Sequence, residues 1–215
     1  MKLFFGALSN DELILRLVLR ASALDGHMIY QATAPTATQG WNQLLDKAEE
    51  DKADVAVLCH NDMYFPPGWV EAFQGRIAEL PPDWMIAGFF GVNEAGEQCG
   101  RIHDRRVPFP LKTPHPLPAK AIMVDGCAFA VNVPKKFRFE EMPGHDLYDL
   151  YMSLRAKELG GTTWIIDAMP EHYPRRPIRW KPDANFLVVW EWLRKRFPGE
   201  KLITTCHADG AEKQA

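Results

Sequence analysis

No apolar run in this 215-residue chain is long enough to span a bilayer, and its first residues carry no signal-peptide pattern. Both absences point to the cytoplasm. The sequence has no excess of one charge: 25 Lys and Arg stand against 28 Asp and Glu, for a net charge of -3. That balance offers nothing to hold nucleic acid or an acidic membrane by charge alone. The four cysteines (Cys59, Cys99, Cys127 and Cys206) include no CxxC pair and read as free thiols in a reducing compartment. There is no internal repeat and no long linker. What is present is apolar side chain: 47% of the residues are hydrophobic and 25% charged, enough for a sizeable buried core.

Strands alternate with helices along the first 92 residues. "KLFFGAL" reads as a strand. Ser9 with Glu12 looks like a capping box, and the apolar residues at 13, 14, 17, 18 and 24 look like a helical stripe. "HMIYQATA" reads as a strand, "TQGWNQLLDKAEED" as an amphipathic helix, "ADVAVLCH" as a strand, "GWVEAFQGRIAEL" as a helix and "DWMIAGFFGV" as a strand. The continuous apolar character of the third strand suits a strand covered on both faces. The order β-α-β-α-β-α-β implies a parallel sheet with right-handed crossovers.

The second half is mixed. "NEAGEQCG" is turn chemistry for a hairpin. Pro108, Pro110, Pro114, Pro116 and Pro118 exclude regular structure there. "KAIMVDGCAFAVN" reads as a strand, "LYDLYMSLRAKELGG" as a helix stopped by glycine, "TTWIIDA" as a strand and "PDANFLVVWEWLRKRF" as a last helix. The expectation is one domain over 1–205, with a nucleotide-binding half at 1–92, an acceptor-side half at 93–180, a C-terminal helix at 181–198 and a disordered tail at 206–215.

The stretch "VAVLCHNDMYFPPGW" concentrates the chemistry. In open α/β sheets, ligands bind beyond the carboxyl ends of the strands. His60, Asn61 and Asp62 stand at such an end, before a Pro-Pro-Gly break. Aspartate is a hard oxygen ligand for Mg²⁺ or Mn²⁺, and histidine adds an imidazole. A polar loop after a strand is the plain alternative.

This stretch resembles the DxD region of the family 2 glycosyltransferases, with His60, Asn61 and Asp62 in the three places of the triplet. Within that family the chain is most similar to a bacterial subgroup with a His-Gln-Asp triplet. "GWNQLLDKAEEDKADVAVL" resembles the family's asparagine-bearing helix, with Asn42 in the asparagine place. "FRFEEMPGHDLYDLYMSLRAKELGGTTWIIDAMPEHY" resembles its acceptor-side signature. There Asp149 takes the place of the key aspartate, Asp146 stands near it, and His172 takes the place of a late histidine. Tyr148 and Tyr151 stand where the family has acids.

The resemblance implies a GT-A fold, Rossmann-like and mostly parallel, flanked by helices, with a mixed acceptor-side half. It implies an inverting glycosyltransferase taking a sugar from a nucleoside-diphosphate donor to a glycan, lipid or protein acceptor. Asp62, His172 and His60 would hold Mn²⁺ or Mg²⁺. Asn42, His60, Asn61, Asp62 and Arg175 would bind the donor, and Asp149, with Asp146 second, would be the catalytic base. Two other readings stand beside it: a homologue that binds nucleotide sugars without turnover, and a metal-dependent phosphoesterase using His60, Asp62 and His172. Trp180 lies in a Pro- and Arg-rich loop and is the tryptophan to watch. Residues 184–197 form a basic amphipathic helix, expected to pack on the sheet. The alternative is contact with a partner enzyme or with the inner face of the membrane.

Overall fold

The computed structural model describes residues 1–24, 26–174 and 182–205. Its strands are β1 (Leu3–Leu8), β2 (Ile29–Ala32), β3 (Val55–His60), β4 (Met63–Tyr64), β5 (Trp84–Gly88), β6 (Phe90–Asn93), β7 (Gln98–Asp104), β8 (Leu111–Lys112), β9 (Ala119–Val124), β10 (Ala128–Asn132), β11 (Thr162–Ile165) and β12 (Glu171–His172). Its helices are α1 (Glu12–Leu17), α2 (Ala37–Glu50), α3 (Trp69–Ala78), α4 (Tyr148–Glu158) and α5 (Ala184–Arg196). Among the described residues no helix is long and apolar enough to cross a membrane.

Successive side chains on β1 and β3 point to opposite faces, and both faces are apolar. Phe4, Ala56 and Leu58 join a core cluster with Trp41 and Leu44 of α2, Leu150 of α4 and Trp190 of α5. Phe5, Ala7, Val57 and Cys59 join a second cluster with Leu15 of α1 and with Trp69 and Phe73 of α3. A strand covered on both sides has no polar face to spare, which is why the third strand reads as an unbroken apolar run.

The sheet runs β2-β1-β3-β10-β5-β11-β9-β6-β7-β12-β4, with β8 on β7. β1 is parallel to both β2 and β3. The all-parallel expectation fails at the next position. β10 inserts between β3 and β5, antiparallel to both. β5 therefore keeps the direction of β3 but lies one strand away from it.

The cause is a break in "KAIMVDGCAFAVN". Asp125 Oδ1 accepts a hydrogen bond from the Cys127 amide at 3.0 Å, an Asx-type turn that splits the expected strand into β9 and β10. "DWMIAGFFGV" splits likewise at Phe89, whose carbonyl accepts from the Arg101 amide at 2.7 Å. β6 then leaves β5 to form the expected hairpin with β7. The proline segment holds one short strand, β8, paired with β7.

The first helix differs in cap and register. Asp11, not Ser9, is its N-cap, accepting from the Ile14 amide at 3.1 Å. α1 ends at Leu17 and a 3-10 turn follows. Its buried stripe is not the expected one: nearly every position is apolar, and packing selects the face of Leu15 and Leu19, with Leu24 beyond, which are buried, whereas Leu13 and Leu17 are 60% and 65% exposed. The last helix packs as expected, burying Phe186, Val189, Trp190 and Leu193. α4 stops where predicted, with Gly160 at φ 78°, a left-handed position natural to glycine. Cys59, Cys99 and Cys127 are buried free thiols; Cys206 lies outside the described residues, as does the expected tail.

Candidate functional site

Leu8 pairs with Ala32 on one side and His60 on the other. This register brings the carboxyl ends of β1, β2 and β3 level, so the residues that follow each strand share one rim. Ser9 and Asn10, Thr33 and Ala34, and His60 to Asp62 line a cavity of about 330 Å³ there, closed by Tyr148 and the exposed His145. The rim is cross-linked: Asn61 Nδ2 donates to Ser9 Oγ at 2.9 Å, and Thr33 Oγ1 donates to the Ser9 carbonyl at 2.7 Å.

The short strand β12 closes the rim from the other half of the chain. It pairs His172 with Met63 of β4 and with Asp104 of β7. Ligand atoms of His60, Asp62 and His172 thereby come within 4.8 Å of one another, although residues 62 and 172 are far apart in sequence. His172 Nε2 lies 3.4 Å from Asp62 Oδ1, yet that oxygen is buried and accepts no hydrogen bond. A buried carboxylate oxygen without a donor is costly unless something else occupies it. Two imidazoles beside it complete a donor set that fits a divalent transition ion such as Mn²⁺.

Burial and neighbouring charge set the state of each group in the cluster. Burial pushes the Asp62 carboxyl up, but the adjacent His172 ring and then His60 outweigh it, and the net position is below the ordinary carboxylate range. Burial holds the His60 imidazole below the usual histidine range, with Asp62 opposing and His172 adding to it. A lowered histidine keeps a lone pair available at neutral pH. Behind His172, Asp104 Oδ2 lies 3.9 Å from Nδ1. Asp104 is itself held by Arg106, whose Nε reaches both carboxylate oxygens at 2.9 and 3.1 Å, so its carboxyl also sits low despite burial. Asp104 was not legible as a site residue, because only the β7–β12 pairing places it there.

A second depression of about 180 Å³ adjoins the start of α4, lined by Asp125, Asp146, Asp149 and Thr205 among others. Consecutive helical residues diverge by about 100°. Tyr148 faces the first cavity and Asp149 the second. Burial, and then the charge of Asp125, push the Asp149 carboxyl up to about 7; its Oδ1 accepts from the Leu150 amide at 2.8 Å. Asp125 is the second residue that the sequence did not single out, though its Asp-Gly turn signature was visible.

One expected donor-side residue is used elsewhere. Asn42 is absent from the cavity lining, and its amide is spent on Phe139. Nδ2 donates to the Phe139 carbonyl at 2.8 Å and Oδ1 accepts from the Phe139 amide at 2.9 Å, so the helix asparagine is a structural clasp. Arg175 lies outside the described residues, as does Trp180. Tyr151, in a place where an acid was expected, is buried, and its hydroxyl accepts from the Glu140 amide at 3.1 Å.

No protein-family profile and no curated protein matches the chain. Solved structures do. S. aureus TarS (residues 1–349), in complex with UDP-GlcNAc, superposes with a TM-score of 0.57 at 11% identity, covering 94% of this chain and 68% of that one. The mannosyltransferase PcManGT from Pyrobaculum calidifontis, in complex with GDP-Man and Mn²⁺, gives 0.53 at 10% identity, covering 81% of this chain and 58% of that one. A protein of STIV gives 0.51 at 9% identity over 86% of this chain and 100% of that one. The fold is thus a mixed α/β arrangement of the kind seen in glycosyltransferases that bind nucleotide sugars.

Proposed function

We propose that this protein is a metal-dependent glycosyltransferase that moves a sugar from a nucleoside-diphosphate donor to an acceptor hydroxyl with inversion. The observation that carries the reading is the His60, Asp62 and His172 cluster, set at level strand ends beside a cavity in a fold shared with glycosyltransferases. His60, Asp62 and His172 would hold a divalent cation, Mn²⁺ by preference. Bound there, such a cation would supply charge neutralisation to a departing diphosphate. Ser9, Asn10 and Thr33, at the far side of the same cavity, face the remainder of the nucleotide.

On the acceptor side, Asp149 removes the proton of the attacking hydroxyl. The new bond forms from that oxygen to the anomeric carbon while the bond from that carbon to the diphosphate oxygen breaks. The negative charge passes to the diphosphate and the proton to Asp149. A carboxyl raised to about 7 is matched to taking a proton near neutral pH, and such a base contributes roughly 10²–10⁴-fold in rate. Asp125 stands beside it, and Asp146 lines the same depression as the second candidate.

A phosphoesterase centred on two metals would draw on more ligands than three, and among the described residues this cluster is the one found. Transfer is therefore the better reading. The test is calorimetry and thermal unfolding with GDP-mannose and with UDP-GlcNAc, each with and without Mn²⁺. Binding of at least one donor that requires Mn²⁺ and is abolished in a folded Asp62→Ala variant is the expected result. Equal binding without metal, or unchanged affinity in Asp62→Ala, would remove the metal role.

A further inference from the structure

Two short contacts meet at one hydroxyl. Tyr148 Oη lies 2.7 Å from His60 Nε2 and 2.7 Å from the carbonyl oxygen of Gly126. A phenol has one proton, and a carbonyl oxygen can only accept. If the tyrosine proton pointed at His60, two oxygens would face each other at 2.7 Å with nothing between them. The proton therefore lies on the Gly126 side, and the hydroxyl receives its second hydrogen bond from His60 Nε2–H. A neutral imidazole protonated at Nε2 has its lone pair at Nδ1.

We infer that Tyr148 is a positioning residue that fixes the Nε2–H tautomer of His60 and so makes Nδ1 the atom His60 offers to a cation. The inference rests on the metal reading proposed above and names the part of it that Tyr148 performs. Two further features hold the arrangement. The Trp41 ring lies nearly parallel to His60, with centroids 6.4 Å apart, and tilted against Tyr148 at 5.9 Å, so neither ring turns freely. Gly126 is the residue that permits the approach, because a Cβ there would lie 2.5 Å from Tyr148 Oη. His172 has a carboxylate, Asp104, behind it. His60 has a phenol instead, anchored to a backbone carbonyl. Groups placed behind a ligand in this way set its tautomer and orientation, and losing one costs roughly 10–100-fold in metal affinity.

The test has a spectroscopic arm and a binding arm. Long-range ¹H–¹⁵N correlation spectra of the full, metal-free chain, with the His60 signals identified by their loss in His60→Gln, should show Nε2 protonated and Nδ1 bare. In Tyr148→Phe the same ring should become a mixture of tautomers, and Mn²⁺ affinity, read by electron paramagnetic resonance titration, should fall by roughly 10–100-fold. Gly126→Ala keeps the tyrosine but displaces its hydroxyl, so it should shift the tautomer and weaken Mn²⁺ in the same direction. An Nδ1–H tautomer in the wild-type protein would overturn the inference, and so would Mn²⁺ affinity unchanged in Tyr148→Phe. The wild-type spectrum decides even where a variant fails to fold. A wild-type protein that takes no Mn²⁺ at all would instead overturn the metal reading beneath it.

Discussion

His60 and Asp62 are two positions apart on the chain, but each takes its chemistry from residues far away: His60 from Tyr148, and Asp62 from His172. The same is true of Asp149, an acid in the first turn of a helix that the helix dipole alone would make more acidic. Burial and Asp125 push it the other way, to about 7. Two results follow at this scale. If Asp149 is the base, turnover climbs as pH rises through about 7, and Asp149→Asn loses turnover while donor affinity stays. Asp146→Asn keeps both. A dead Asp146→Asn beside an active Asp149→Asn would exchange the two roles. Stability carries the opposite sign. A carboxyl raised from 3.8 to about 7 on folding contributes stability that is fully present below the lower value and lost as pH rises through the higher one. Asp149→Asn should remove that fall, which thermal unfolding between acid and mildly alkaline pH would show.

At the scale of elements, two segments are held by the fold: α2, whose Asn42 was expected at the donor, and α5, which was expected to pack on the sheet. Asn42 joins α2 to the chain at Phe139 by a reciprocal pair of hydrogen bonds. Asn42→Ala should cost about 1–3 kcal/mol in chemical denaturation and leave nucleotide affinity as it is; a loss of affinity without destabilisation would return Asn42 to the donor site. α5 buries one face against the core, with Trp192 5.3 Å from Tyr151 ring to ring. Its basic end is tied inward, since Arg196 pairs with Glu158 of α4 at 2.7 Å. Removing residues 182–215 should therefore leave a molten or insoluble protein that binds a hydrophobic dye. A well-folded truncation that no longer pellets with anionic liposomes would show a docking helix. The exposed Leu187 and Val188 are too small a patch to argue for one.

At the scale of the molecule, the cavity opens where the two halves of the chain meet: three level parallel strands from the first half, and His145 with the start of α4 from the second. A ligand that grips both halves binds the folded state alone. Donor with Mn²⁺ at about a hundred times its dissociation constant should then add about 2.7 kcal/mol to stability. Donor without the metal should add much less, and differential scanning calorimetry reads the difference.

Composition and periodicity determined a good deal by themselves. The alternation of helices and strands over the first 92 residues, the doubly covered third strand and the helix stopped at Gly160 are all local patterns of apolar spacing and glycine. The rim position of His60 to Asp62 follows from a strand ending in a turn. Only the tertiary structure decided the rest. β10 enters between β3 and β5 because a single Asx turn at Asp125 steps the chain sideways across the sheet without changing its direction, and a continuous apolar run cannot announce such a step. The stripe of α1 runs through Leu15 and Leu19 and not Leu13 and Leu17, because a helix apolar at nearly every position leaves packing to choose its buried face. Asp104, Asp125 and the hydroxyl of Tyr148 belong to the site through strand pairings and contacts between residues far apart in sequence. Burial and partner charge are properties of the assembled fold, so the raised carboxyl of Asp149 and the chemical state of His60 could not be present in the sequence taken one segment at a time.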